Sequence, residues 1–236
     1  MIQVSIIVPV YNEEKTVIKV LEQVQKQKIS AVSFEVIVVD DGSKDQSVPL
    51  LQSKPDLYSK LVCLPLNQGK GAAVKAGLEC AIGEYVLFQD ADLEYNPADY
   101  EQLLKPILQH GADLVVGSRM LESSHVQSSY WVNKLGNQFL TAVFNLLFRT
   151  TFTDVYSCYL VYRKSLIDHN ALKAKGWEQH AEILSKCIKK NPKHYEVSIS
   201  YHGRTYDEGK KIRPYHVFSV LWTMIKERFF FEKVLT

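Results

Sequence analysis

Five short apolar runs, each closed by polar or charged residues and most of them parted from the next by a helical pattern, constrain this chain most. Ile2–Val10 is rich in β-branched residues, and Phe34–Val39, Leu61–Leu64, Tyr85–Phe88 and Leu114–Val116 follow it. Runs of this length suit strands buried on both faces of a parallel sheet. Between them Val17, Val20, Leu21 and Val24 recur at helical spacing. So do Val74 and Leu78 within Lys70–Ile82, and Tyr100, Leu103, Leu104 and Ile107 after Pro97. Asn12 is expected to cap the first helix, with Glu13 and Glu14 in its first turn. This alternation predicts an α/β domain, an open and mostly parallel sheet covered by helices on both faces.

Polar residues gather where the strands end: Asp40, Asp41 and Gly42, then Asp90 and Asp92, then Gly117, Ser118 and Arg119. In such sheets ligands bind in the crevice outside those ends. Asp90-Ala91-Asp92 is the sharpest feature. Two carboxylates one residue apart can both reach one hard divalent cation, Mg²⁺ or Mn²⁺, whose other positions take water and substrate phosphate. Glu94 adds a third candidate oxygen ligand. An isolated D-x-D is more often turn and cap chemistry. The apolar strand before this one, and the second acidic strand end at Asp40 and Asp41, favour the metal.

Asn67-Gln68-Gly69-Lys70-Gly71 matches neither G-x-x-x-x-G-K-[ST] nor G-x-G-x-x-G, since position 74 is Val. A P-loop ATPase and a dinucleotide oxidoreductase are therefore disfavoured, and close backbone packing is the expected use of these glycines. A phosphatase with an aspartyl nucleophile would carry its D-x-D on the first strand, and ranks below a metal-dependent transferase.

Beyond about Glu122 the pattern changes. Val132–Phe148 reads as a long helix, Tyr159–Tyr162 and Val197–Tyr201 as strands, and about Glu178–Lys190 as the helix they flank. The loop GRTYDEGKKIRP leads to a last, amphipathic helix from Tyr215 to about Phe231, with Lys226, Arg228 and Lys233 near its aromatic end. Such a helix can pack on the core or lie in a membrane interface. With 28 Lys and Arg against 26 Asp and Glu the net charge is +2, which argues against bulk nucleic-acid binding. Four separated cysteines read as free thiols in a reducing compartment. No signal peptide and no run of 18 apolar residues is expected, so a cytoplasmic location is.

The stretches IIVPVYNEE, FEVIVVDDGSKD, NQGKGAAVKAG, YVLFQDADLEYNP, DLVVGSRM, NKLGNQFLTAVFN, TDVYSCYLVYRKSL and SYHGRTYDEGKKI, taken in order, cover nearly the whole chain. They resemble a family-2 glycosyltransferase of the GT-A fold, close to the dolichyl- and polyprenyl-phosphate sugar synthases. The resemblance implies a catalytic domain over 1–213, with a donor half of about 1–121 and an acceptor half of about 122–213, followed by the C-terminal helix in 214–236. Pro9, Tyr11 and Glu13, with Val39 and Asp41, would hold the nucleotide. Asp90, Ala91 and Asp92, helped by Glu94, would hold Mg²⁺ or Mn²⁺ against the donor diphosphate. Arg119, Arg204 and Lys210 would contact donor or acceptor phosphate, with the 203–213 loop, which also carries Lys211 and Arg213, closing over them. Lys134 falls where lipid-phosphate synthases often place an arginine.

The implied reaction is an inverting transfer of a hexose from GDP-mannose or a UDP-hexose to a polyprenyl or dolichyl phosphate. It would run at the cytosolic membrane face, with peripheral attachment or a membrane-protein partner and no nucleic acid. An ionised phosphate acceptor needs no strong general base, whereas a hydroxyl does. Relatives acting on hydroxyls tend to place Asp in the segment that here reads WEQHAEIL, where this chain offers His180. Transfer to a saccharide hydroxyl, and a nucleotide-sugar-binding subunit without turnover, are the alternatives. The family pattern D-x-x-S-G-F-[RK] appears as Asp154 to Leu160 with Cys158 for Gly and Leu160 for the basic residue. A changed backbone angle is therefore expected at Cys158.

Overall fold

A computed structural model describes residues 1–121, 131–204 and 215–230. Its strands are β1 (Ile2–Val10), β2 (Val32–Asp40), β3 (Lys60–Cys63), β4 (Tyr85–Phe88), β5 (Leu114–Ser118), β6 (Leu160–Arg163) and β7 (His194–Ser198). Its α-helices are α1 (Val17–Gln25), α2 (Ser47–Gln52), α3 (Lys70–Cys80), α4 (Tyr100–His110), α5 (Trp131–Phe148), α6 (Gln179–Lys189) and α7 (His216–Phe229). The strands form one sheet in the order β3-β2-β1-β4-β6-β5-β7. Every pairing is parallel except those of β6, which runs against both β4 and β5. All residues of β4 and β5 are buried. Since successive side chains on a strand point to opposite faces, both faces of the sheet are covered there. Helix α3 lies on β1 and β2, α4 lies on β5, and α5, α6 and α7 pack on one another. Among the described residues no helix is long and apolar enough to cross a membrane.

Two expectations need correction. Asn12 does not cap α1, which starts at Val17 after Thr16. It adopts a left-handed backbone, φ +52°, which Asn tolerates, and binds the loop after β2 instead. Its Oδ1 accepts from the Lys44 N–H at 2.8 Å, and its own N–H donates to Ser43 Oγ at 2.9 Å. The last strand lies at His194–Ser198, earlier than the expected Val197–Tyr201, because β7 is an edge strand where polar His194 and Glu196 are tolerated. The backbone at Cys158 is outside the positive-φ region, in line with the changed angle expected there. Short α2, with no periodic signal, was not expected at all.

The glycines after β3 do serve close packing. A Cβ on Gly69 would lie 2.5 Å from the Lys175 carbonyl oxygen, and one on Gly71 2.5 Å from that of Ala174. This seats the start of α3 against the segment leading into α6.

Candidate active site

Parallel β1, β2 and β4 end together, and their loops bring distant charges into one crevice. Pro9 and Val39 face each other across β1 and β2, with Val39 buried and Tyr11 half-buried just beyond. Asp41 is buried behind them. Its two carboxylate oxygens accept the N–H groups of Gln68 and Gly69, each at 2.8 Å. Burial pushes its carboxyl up, against the pull of those two donors. Asp41 thus ties the 67–70 loop to the end of β2. Buried Asp40 keeps one oxygen, Oδ1, without a hydrogen bond.

The turn after β4 carries the acidic pair. Gln89 holds it from beneath: its Oε1 accepts from the hydroxyls of Tyr100 at 2.7 Å and Tyr159 at 2.8 Å, while its Nε2 donates to the Asp90 carbonyl at 2.9 Å. Leu93, between Asp92 and Glu94, has φ +63°, a conformation disfavoured for a branched side chain. Such strain persists only where surrounding contacts enforce it, and it gathers at functional turns. Replacing Gln89 by Leu leaves two buried tyrosine hydroxyls without their acceptor and is expected to cost roughly 2–4 kcal/mol. The denaturation midpoint should fall accordingly, with an unchanged slope.

Each acidic residue has found a cation or donor. Lys70, at the start of α3, places Nζ 2.5 Å from Asp90 Oδ1 and 5.1 Å from the centre of the Trp177 ring. Burial works to raise the Asp90 pKa, but the ammonium outweighs it and holds it low. Asp92 goes the other way. Burial, then the charges of Asp90 and Glu94, push its carboxyl up to about 7, although Arg204 lies beside it. Arg204 Nη2 is 2.7 Å from Asp92 Oδ2, and its two terminal nitrogens reach Glu13 at 3.2 and 3.3 Å. Glu94 accepts the Tyr201 hydroxyl and the Arg204 N–H, both at 2.8 Å. A bridge between Tyr95 and Tyr201 brings this segment to the turn.

Arg119, at the end of β5, is held by buried Asp154 in a two-pronged pair at 2.7 and 2.9 Å, and lies 5.0 Å over the Tyr201 ring. Asn137 of α5 donates to the same carboxylate at 2.8 Å.

The structure therefore brings together Glu13, Asp90, Asp92, Glu94 and Arg204, with buried Ala91 between the two aspartates. It does not converge Asp90, Asp92 and Glu94 on one point. Among the described residues no three His, Cys, Asp or Glu side chains form a ready ligand set, because Lys70 takes the first and Tyr201 and Arg204 engage the third. Lys134 is exposed on α5 and stands outside this network. Lys210, Lys211 and Arg213 lie outside the described residues. Lys70 and Gln89 escaped the sequence reading. The signals were there: a lysine opening the helix after a strand, and a polar residue wedged between an apolar strand and an acidic pair.

A sheet of this order, mostly parallel and with an acidic turn at the end of β4, defines an α/β domain whose polar crevice lies at the strand ends. The model of the family described as glycosyl transferase family 2 matches residues 5–170. The chain belongs to that family and is a glycosyltransferase. It is 30% identical to a dolichyl-phosphate beta-glucosyltransferase of Dictyostelium discoideum, over 91% of this chain and 70% of that one. It is 27% identical to an uncharacterized protein of Methanocaldococcus jannaschii, over 97% and 93%. Among solved structures, glucosyl-3-phosphoglycerate synthase from Mycobacterium tuberculosis, in complex with Mn²⁺, UDP and phosphoglyceric acid, superposes with a TM-score of 0.72. It is 20% identical and the match covers 98% of this chain and 80% of that one. The fold is thus GT-A.

Proposed function

We propose that this protein transfers a hexose, with inversion, from GDP-mannose or a UDP-hexose to a polyprenyl or dolichyl phosphate. An acceptor phosphate oxygen would attack the anomeric carbon as its bond to the diphosphate breaks, and the nucleoside diphosphate would leave. The observation that carries this reading is the cluster of Glu13, Lys70, Asp90, Asp92 and Arg204 where β1 and β4 end. Acidic and basic groups interleave there as a cation and a diphosphate would need.

The residues fit a hard divalent ion. The donors are carboxylate oxygens, and the Asp92 carboxyl is pushed up to about 7 by negative neighbours that a second cation would relieve. Bound Mg²⁺ or Mn²⁺ supplies a Lewis acid for the leaving diphosphate. Asp92 would hold it, with Asp90 beside it and Ala91 at the donor. Glu94 would position Arg204, which with Lys70 faces the phosphates. Pro9, Tyr11, Glu13, Val39 and Asp41 would line the nucleotide. Arg119, Lys134 and Lys210 would serve the acceptor phosphate in the 122–213 half, with 1–121 as the donor half and 214–236 as the part nearest the cytosolic membrane face.

His180 favours a phosphate over a hydroxyl acceptor. Burial, and then Lys70, lower its pKa to about 4. A base that weak accepts protons poorly at neutral pH, and an ionised phosphate needs none. The Dictyostelium relative's name, which specifies a dolichyl phosphate, supports the same choice. The test is purified protein with Mn²⁺, a panel of nucleotide sugars and a polyprenyl phosphate, with products read by mass. A glycosyl phospholipid is expected. Transfer to soluble sugars alone selects the hydroxyl alternative, and tight donor binding without transfer or hydrolysis selects the binding subunit.

A further inference from the structure

Beyond β7 the chain runs on past the end of β5 to the turn after β4. The Ile199 N–H donates to the Ser118 carbonyl at 3.1 Å, and the His202 N–H to the Glu94 carbonyl at 2.9 Å. Between them Ser200 donates to Asp99 through its N–H at 2.9 Å and its Oγ at 2.6 Å. The main chain is therefore tied down on both sides of Tyr201, independently of that residue's side chain.

The half-buried Tyr201 side chain stands between two charged groups. Its hydroxyl donates to Glu94 Oε2 at 2.8 Å, while the other Glu94 oxygen accepts the Arg204 N–H, also at 2.8 Å. A buried carboxylate with both oxygens engaged keeps one orientation. Arg204 in turn spans Asp92 and Glu13. The ring has a different task. The Arg119 guanidinium lies over it, 5.0 Å from its centre. Asp154 grips two nitrogens of that guanidinium, and the ring limits how the guanidinium plane can tilt. Tyr95 backs the ring at 5.2 Å and is itself pinned, its hydroxyl accepting the Cys158 N–H at 3.1 Å. Gly203 leaves room for this packing, since a Cβ there would lie 2.9 Å from Tyr201 Cε1. Packing alone would be served by phenylalanine, so hydroxyl and ring are separable.

We propose that Tyr201 is a positioning residue that joins the two halves of the site. Its hydroxyl sets Glu94, and through it Arg204, on the donor side. Its ring sets Arg119 on the acceptor side. This rests on the roles given above to Arg204 and Arg119, and adds that one side chain aligns them.

Tyr201→Phe removes the hydroxyl and keeps the ring, whereas Tyr201→Leu removes both. The first test needs no turnover and follows two NMR resonances of the full chain, the Arg204 backbone N–H and the Arg119 Nε–H. The Phe variant is expected to move only the Arg204 signal, and the Leu variant to move both. An Arg204 signal unmoved by Phe, or an Arg119 signal unmoved by Leu, overturns the proposal. The second test titrates UDP and GDP into protein with Mn²⁺ by calorimetry and measures the acceptor KM with a polyprenyl phosphate. Both variants should weaken binding of the preferred nucleotide by about tenfold. Only Leu should also raise the acceptor KM, by about fivefold, and that rise should vanish in an Arg119→Met background. Equal effects of Phe and Leu on both quantities, or tighter nucleotide binding in Phe, overturn the proposal. A lower melting temperature in Leu with both quantities unchanged shows packing alone, and does so too. Should the two resonances move as expected while wild type uses neither nucleotide nor lipid, the transfer reading fails and the positioning of Glu94 and Arg119 stands.

Discussion

Asp92→Asn is expected to lower kcat/KM by about a thousandfold, the scale of losing several kcal/mol of charge stabilisation at the leaving group. The same substitution should raise the melting temperature of the metal-free protein. Both follow from one position. The Asp92 carboxyl has a folded pKa of about 7 against 3.8 for the free group. Between those values the folded state holds more protons than the unfolded one, so this group's contribution to stability falls as pH rises and stays low above 7. Asn removes the charge yet can still accept from Arg204, so the metal-free fold gains at neutral and higher pH. Steady-state transfer with Mn²⁺, and melts with chelator at pH values on either side of 7, measure the two effects. Full activity in the variant would remove Asp92 from the metal role. A lower melting temperature would mean that the Arg204 contact outweighs the crowding by Asp90 and Glu94.

The sheet was legible because its central strands announce themselves locally. β1, β4 and β5 are apolar on both faces, so composition alone marks them, and the polar residues at their ends mark the crevice. β7 was misplaced for the complementary reason. An edge strand half covered by neighbours tolerates His194 and Glu196, and Glu196 is itself employed by the backbone N–H groups of Thr153 and Asp154. Asn12 misled because its oxygen had two uses, a helix cap or the 42–45 loop, and only the packed loop decides between them. In the candidate site, residue types were readable and partnerships were not. Lys70 to Asp90, Arg119 to Asp154 and Arg204 to Glu13 span from 20 to 191 positions in sequence. No periodicity encodes which cation meets which carboxylate at such separations.

The Arg119 and Asp154 pair carries the largest expected effect on stability. Asp154 is fully buried and accepts from Arg119 Nε, Arg119 Nη2, the Arg119 backbone N–H and Asn137 Nδ2. Burial works to raise its pKa, but the guanidinium outweighs that and holds the carboxyl below its ordinary range. Asp154→Ala strands the guanidinium and two other donors without their acceptor. Breaking a buried pair from one side costs about 3–5 kcal/mol, which in a chain of this size lowers the melting temperature by roughly 10 °C. Because the folded pKa is depressed, the pair's contribution is fully present above the ordinary carboxylate range and is lost as pH falls below it. The gap between wild type and variant should therefore close in acid. Arg119→Met/Asp154→Leu removes both charges together, and should regain most of the lost stability, since apolar replacements of buried pairs are often neutral. It should not regain transfer if Arg119 meets a phosphate. Denaturation midpoints for the single and double variants, set beside their activities, separate the two roles. A double variant as unstable as Asp154→Ala would show that packing, not charge, holds this corner together. One as active as wild type would remove Arg119 from the reaction.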